Sequence, residues 1–151
     1  MPEIVNVLCK YFGKTDFESE IINFNFTRYY QKEMGPNLKR KFISFAKLID
    51  PAGLADIKIL TNKIEDKFSI NGNRRVNIDP GYIDLAKLIL ASTKDFAHRI
   101  YLSKGIYAEI TLFYKGNSFK SRDLTYPDYR TDKYIEIFNH LRQIYAQQIK
   151  D

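Results

Sequence analysis

Cysteine is almost missing from this sequence: of 151 residues, only Cys9 carries a thiol. One cysteine excludes an intrachain disulfide and a thiolate zinc site, and it suits a reducing compartment. Histidine is nearly as scarce. His98 and His140 lie far apart, and neither has a second histidine at ligand spacing, so no metal site is expected. Tryptophan is absent. No long apolar run occurs either. The stretch Leu88–Ala91 is far too short to span a bilayer. Met1 to Tyr11 carries Glu3 and lacks the basic start and apolar run of a signal peptide. The expectation is a cytoplasmic protein with no membrane partner.

Glycine motifs that cradle phosphates are lacking too. Gly13-Lys14-Thr15 looks like the tail of a phosphate-binding loop, but the position that needs the first glycine is Leu8. The context is also reversed, with a helix before the loop and a strand after it. There is no dinucleotide fingerprint and no serine in a nucleophile elbow. Cys9 sits among apolar residues, as a small core residue does, rather than beside a base.

What is present is an ordinary globular composition, 44% hydrophobic and 28% charged, with 11 Tyr and 11 Phe. The length fits one domain, 1–151, able to bury a core. The net charge is +6. The excess is concentrated where Arg28, Lys32, Lys39, Arg40, Lys41 and Lys47 face Glu33 alone. Such a field favours an anionic partner, although a solvated, salt-bridged face has the same composition.

The periodicities predict an α+β fold, a mostly antiparallel sheet packed by about three helices. Ile4, Leu8 and Tyr11 mark a first helix that ends at Gly13. Ile22, Phe24 and Phe26 alternate as a strand, and so do residues 41–48. Asp50-Pro51 starts a helix with the stripe Leu54, Ile57, Thr61, Ile64 and Phe68. Val76 and Ile78 predict a short strand closed by a turn at Asp79-Pro80-Gly81. Leu85–Ala91 reads as a strand. Arg99–Leu102 and Ile106–Tyr114 form a hairpin, with Ile106, Ala108, Ile110 and Leu112 on one face. Gly116-Asn117 turns into Ser118–Lys120. Thr131 caps the last helix, whose stripe includes Ile135, Phe138, Leu141, Tyr145 and Ile149.

Three polar clusters carry the chemistry. In Arg74–Tyr82, adjacent Arg74 and Arg75 point to opposite faces, so one of them suits bidentate recognition of a phosphate or carboxylate. Ser92–Arg99 combines hydroxyls with Lys94, His98 and Arg99, and His98 has the chemistry of a general acid or base. In Thr125–Arg130, two tyrosines flank Pro127-Asp128 as a lip that Arg130 closes. Each cluster also has a plain structural reading: a turn, a capped loop, a packed connection.

At these clusters the chain resembles a bacterial family known as a domain of unknown function, some of whose members carry a GTP-binding label. The likeness runs through Leu48-Ile49-Asp50-Pro51, through Asn77-Ile78-Asp79-Pro80-Gly81-Tyr82 and through Ala91–Leu102. It includes Thr125-Tyr126-Pro127-Asp128-Tyr129-Arg130. The sequence has no guanine-reading motif. The resemblance implies an apolar strand ahead of the first helix. This chain begins at the helix, and a missing strand leaves a sheet edge open, so self-association into a homo-oligomer is expected.

The leading expectation is a pocket for a small anionic ligand such as a nucleotide or phosphate compound. Its contacts are Lys94, His98 and Arg99, then Arg74 or Arg75, Tyr107, Glu109, Asp128 and Arg130. An enzymatic version uses His98 or Glu109 for proton transfer. No cofactor is indicated. The alternatives are an RNA-binding or ribosome-associated module, with Tyr29 or Tyr30 stacking on bases, and a protein-interaction adaptor.

Overall fold

A computed structural model describes residues 1–24, 31–35 and 37–150. Helix α1 (Pro2–Phe12) opens the chain and stops at Gly13, whose φ of 89° suits a residue without a side chain. Two small antiparallel ribbons follow. One pairs β1 (Thr15–Glu18) with β4 (Ile43–Phe45); the other pairs β2 (Ile22–Asn23) with β3 (Lys39–Arg40). The one-turn helix α2 (Gln31–Met34) lies between β2 and β3. Helix α3 (Leu54–Lys67) starts after a 3-10 turn in which Asp50 accepts the Ala52 N–H at 3.0 Å, as its Asp-Pro start predicts.

The main sheet runs β5 (Gly81–Ile83), β6 (Lys87–Ser92), β8 (Ile106–Lys115), β7 (Arg99–Ser103), and β9 (Ser118–Ser121) also pairs with β8. Every pairing is antiparallel. The expected α+β class is therefore observed, with three long helices among the described residues. The last is α4 (Asp132–Lys150), where the Thr131 hydroxyl accepts the Tyr134 N–H at 3.4 Å.

Helix α4 covers one part of the sheet through Tyr134, Phe138 and Leu141 against Leu88, Leu112 and Phe119. Helix α3 covers another through Leu54 and Ala55 against Ile89, Ala91 and Ile106. Helix α1 closes on the far side of α3, where Ile4 and Leu8 meet Ile64. Tyr11, placed in the first helical stripe by periodicity, is half exposed instead.

Four expectations need correction. No strand forms at Val76–Ile78. That segment is irregular, held by Glu65, whose carboxylate accepts the Ile78 N–H at 2.6 Å, and the strand begins later at Gly81. Residues 41–48 are not one strand. Phe42 leaves the ladder to pack edge-on against Tyr134 and Phe138, while Ile43 and Phe45 turn to the α1 core. Strand β2 ends at Asn23, and Phe26 lies outside the described residues. Finally, Leu112 does not share a face with Ile106, Ala108 and Ile110. A register shift between Leu88 and Ile89 moves it into the α4 core.

Candidate functional site

The register of the sheet sets one wall of a recess. Glu109 on β8 lies opposite Arg99 on β7 and Leu90 on β6, so the three share a face. Ser92 is two residues past Leu90 on the same strand and carries that face to the strand end. There the chain turns through Thr93 and Lys94, with the Ser92 hydroxyl accepting the Lys94 N–H at 3.1 Å.

The second wall is α3. Lys58, Asn62 and Glu65 follow one another at helical spacing, beside the apolar stripe that packs on the sheet. Lys58 and Glu65 are buried, and the Lys58 ammonium reaches the Ile78 carbonyl at 3.3 Å. Residues 74–79 form the third wall with Arg74, Asn77 and Asp79. The loop Tyr126–Tyr129 and Arg40 from β3 close the fourth. Together these walls enclose about 570 Å3, within the usual range of small-molecule sites.

Every guanidinium in the recess meets a carboxylate. Arg40 pairs with Asp128, both largely buried, and its plane lies 4.1 Å over the Phe24 ring. Arg74 grips Glu33 through Nε and Nη2 at 3.0 to 3.2 Å, and its Nη1 lies 3.8 Å from Glu65. Arg99 donates to Glu109 at 3.2 Å, to the Lys94 carbonyl at 3.1 Å and to the Tyr126 hydroxyl at 3.1 Å. These three bonds occupy three of its five N–H groups.

These contacts leave electrostatic marks. Burial pushes the Glu65 carboxyl above its ordinary pKa, against the pull of the Ile78 N–H and of Lys58 and Arg74. Burial opposes the charge on Arg40, but Tyr129, Tyr134 and Asp128 outweigh it and raise its pKa. Burial likewise opposes Arg99, and the Tyr126 and Glu109 contacts reverse that. Burial holds the Tyr129 phenol well above its usual value, so it stays neutral.

The structure gathers Lys94, Arg99, Arg74, Glu109 and Asp128 around this one recess. His98 stands behind the wall, its Nε2 2.7 Å from the Glu109 carboxylate. A carboxylate only accepts, so Nε2 carries the proton; Nδ1 is buried with no hydrogen-bond partner among the described residues. Glu109 accepts on both oxygens, one with His98 and Arg99 and the other with the Thr111 hydroxyl at 2.7 Å. These contacts let it orient the Arg99 guanidinium toward the recess wall.

Three expected residues stand elsewhere. Arg75 is exposed and does not line the recess, since Arg74 takes the inward direction on this segment. Tyr107 packs edge-on against Tyr101, 5.3 Å between centroids, farther along the hairpin. Arg130 turns back to the carbonyls of Arg122, Asp123 and Thr125. It ties down the loop that presents Tyr126 and Asp128 and does not close a lip. Conversely, Lys58, Asn62, Glu65 and Arg40 join the recess without having been singled out as contacts. For Lys58, Asn62 and Glu65 the signal is a polar row on α3 at spacings of four and three residues, and for Arg40 it is the basic field at 28–47.

Of the basic field at 28–47, Arg40 is in the recess, Lys41 pairs with Glu18 at 2.8 Å, and Lys39 bonds Asn23. Tyr29 and Tyr30 lie outside the described residues. No group of three or more His, Cys, Asp or Glu side chains among the described residues is arranged to hold a metal. No helix among them is long and apolar enough to cross a membrane. Gly13-Lys14-Thr15 joins α1 to β1, the reverse of a phosphate-loop context.

A family model described as "Domain of unknown function (DUF4416)" matches residues 1–145. No curated protein and no solved structure matches the chain.

Proposed function

The chain belongs to the DUF4416 domain-of-unknown-function family, and from the geometry of the recess we propose that it binds a small anionic ligand, a nucleotide or another phosphate compound. One observation carries this reading. Four separate stretches of sequence, at Arg40, Lys58, Arg74 and Lys94 with Arg99, bring five cationic side chains to a single concave surface. A merely structural charge network would not need an open volume at its centre. The three guanidiniums are held by carboxylates, and Arg40 also by the Phe24 ring, so they are oriented before a ligand arrives. Arg99 keeps two N–H groups for such a ligand beyond its three protein bonds.

The test is a thermal-shift and calorimetric titration with nucleoside monophosphates, inorganic phosphate and phosphorylated sugars. A ligand at one hundred times its Kd adds about 2.7 kcal/mol to stability, which for a chain of this length raises Tm by about 5 to 10 °C. The Arg99→Met variant removes the guanidinium and keeps much of the side chain's volume, and it abolishes the shift. A panel that moves Tm in neither protein, at low and at physiological salt, rejects the reading.

A further inference from the structure

A second cavity lies beyond the wall of Asp79, Leu90 and Tyr129, which line both spaces. It holds about 600 Å3 and its lining is mostly apolar, the size and character of a small-molecule site. Its origin is in the packing. The core forms three separate clusters, and the cavity follows the seam between two of them. Leu8, Ile43 and Phe45 of the α1 cluster line one side, and Leu88, Phe138 and Leu141 of the α4 cluster line the other. Ile57 belongs to the apolar stripe of α3, yet it faces this space and joins none of the three clusters among the described residues. Two hydroxyls of the lining are already spent: Thr61 donates to the Lys58 carbonyl at 2.9 Å, and Ser44 donates to Asp16. Protein interiors leave few voids larger than a water molecule, and a water needs two or more polar partners. An apolar space of this size therefore suits a ligand better than solvent.

The charges of the lining point to one kind of head group. Each of its carboxylates accepts from a protein donor: Asp16 from Ser44, Asp79 from Asn77 and Asp84 from Lys87. Lys47 is the cation of the lining, and it makes no hydrogen bond or ion pair among the described residues. It is exposed, next in sequence to Leu48 and Ile49, which line the cavity and are exposed as well. Gln148 on α4 donates to the Ala46 carbonyl at 2.8 Å and so fixes the chain just before Lys47. We propose that this cavity binds a fatty acid, its hydrocarbon chain lying in the apolar seam and its carboxylate meeting Lys47 at the mouth. The site is distinct from the charged recess and does not depend on anion binding there. A single negative charge matches the one free ammonium, whereas a phosphate dianion there is repelled more strongly by the three carboxylates of the same lining.

A chain-length series decides the matter. Calorimetry on the full chain with hexanoate, octanoate, decanoate and dodecanoate, each below its micelle concentration, is expected to show affinity rising about tenfold for each two methylenes added. Ile57→Phe fills part of the seam and is expected to flatten the long end of that series. Lys47→Met is expected to weaken dodecanoate about threefold, as for an exposed ion pair, and to leave dodecanol unchanged. Inorganic phosphate in large excess is expected not to compete with dodecanoate. Affinity that does not grow with chain length, or a series that Ile57→Phe leaves as it was, overturns the proposal. So does a Lys47→Met variant that weakens acid and alcohol alike or neither, because the carboxylate then lies elsewhere. Competition by phosphate also overturns it, by placing the carboxylate in the charged recess. The phosphate titration of the recess stands or falls separately from all of these.

Discussion

Glu109 is the residue on which most of the recess wall converges. Its carboxylate is buried, and it receives His98, Arg99 and Thr111 on two oxygens. Removing it leaves a guanidinium and an imidazole without their shared acceptor in a desolvated place. Such losses cost about 3 to 5 kcal/mol when one partner of a buried pair is deleted. Glu109→Ala is therefore expected to lower unfolding free energy by about 3 kcal/mol in a urea titration. Glu109→Gln keeps an acceptor oxygen and is expected to lose about half as much. Equal and small losses in both variants would mean that water already satisfies the Arg99 side. The sequence showed that Lys94, His98, Arg99, Glu109 and Asp128 had the right chemistry, because their types alone announce charge and hydrogen bonding. It did not show which way each pointed. Arg130 and Tyr107 have the same chemistry and turn to loop carbonyls and to Tyr101, choices made by packing between remote segments.

Elements were legible where local rules are strong. The two hairpin turns, Lys104-Gly105 and Gly116-Asn117, have positive φ at both central positions, and their sequences announce that geometry. The Asp50 and Thr131 starts were equally plain. The ribbons β1–β4 and β2–β3 were not, because strands of two to four residues carry too little pattern and take their register from partners far along the chain. Gly81 lies between these cases. Its Asp-Pro-Gly context signals a turn, yet it is the first residue of β5, lying opposite Leu90, and a methyl group on it would collide with the Ile89 carbonyl oxygen. Backbone atoms cannot yield as a side-chain tip can. Gly81→Ala is expected to destabilise by about 3 kcal/mol, the upper range for overpacking. It should also loosen the neighbouring 74–80 segment that forms one recess wall. Hydrogen exchange at the Ala91 N–H, which bonds the Pro80 carbonyl at 3.0 Å, reads this directly. Unchanged protection there would show that β5 can shift without cost.

At the scale of the whole molecule, two electrostatic pictures compete. The chain as a whole carries +6, which suits long-range attraction of a polyanion. The recess is nearly balanced, with five cations and four carboxylates in its lining. Salt separates the two. A nucleic acid held by six to ten phosphate contacts loses about 10^3 to 10^5 in affinity between 50 and 200 mM salt, whereas one phosphate in a recess follows a slope near one and loses about fourfold. The recess ligand is therefore expected to weaken by about fourfold over that range. Heparin or RNA, engaging the exposed basic surface, is expected to weaken far more steeply. Pre-loading the recess with a monophosphate should then leave polyanion binding unchanged, because Lys47 is exposed and Lys41 pairs with Glu18, outside the recess lining. Should the monophosphate instead follow the steep slope, or displace the polyanion competitively, the small ligand would be reading the molecule's outer field, and the enclosed charges would be a structural network.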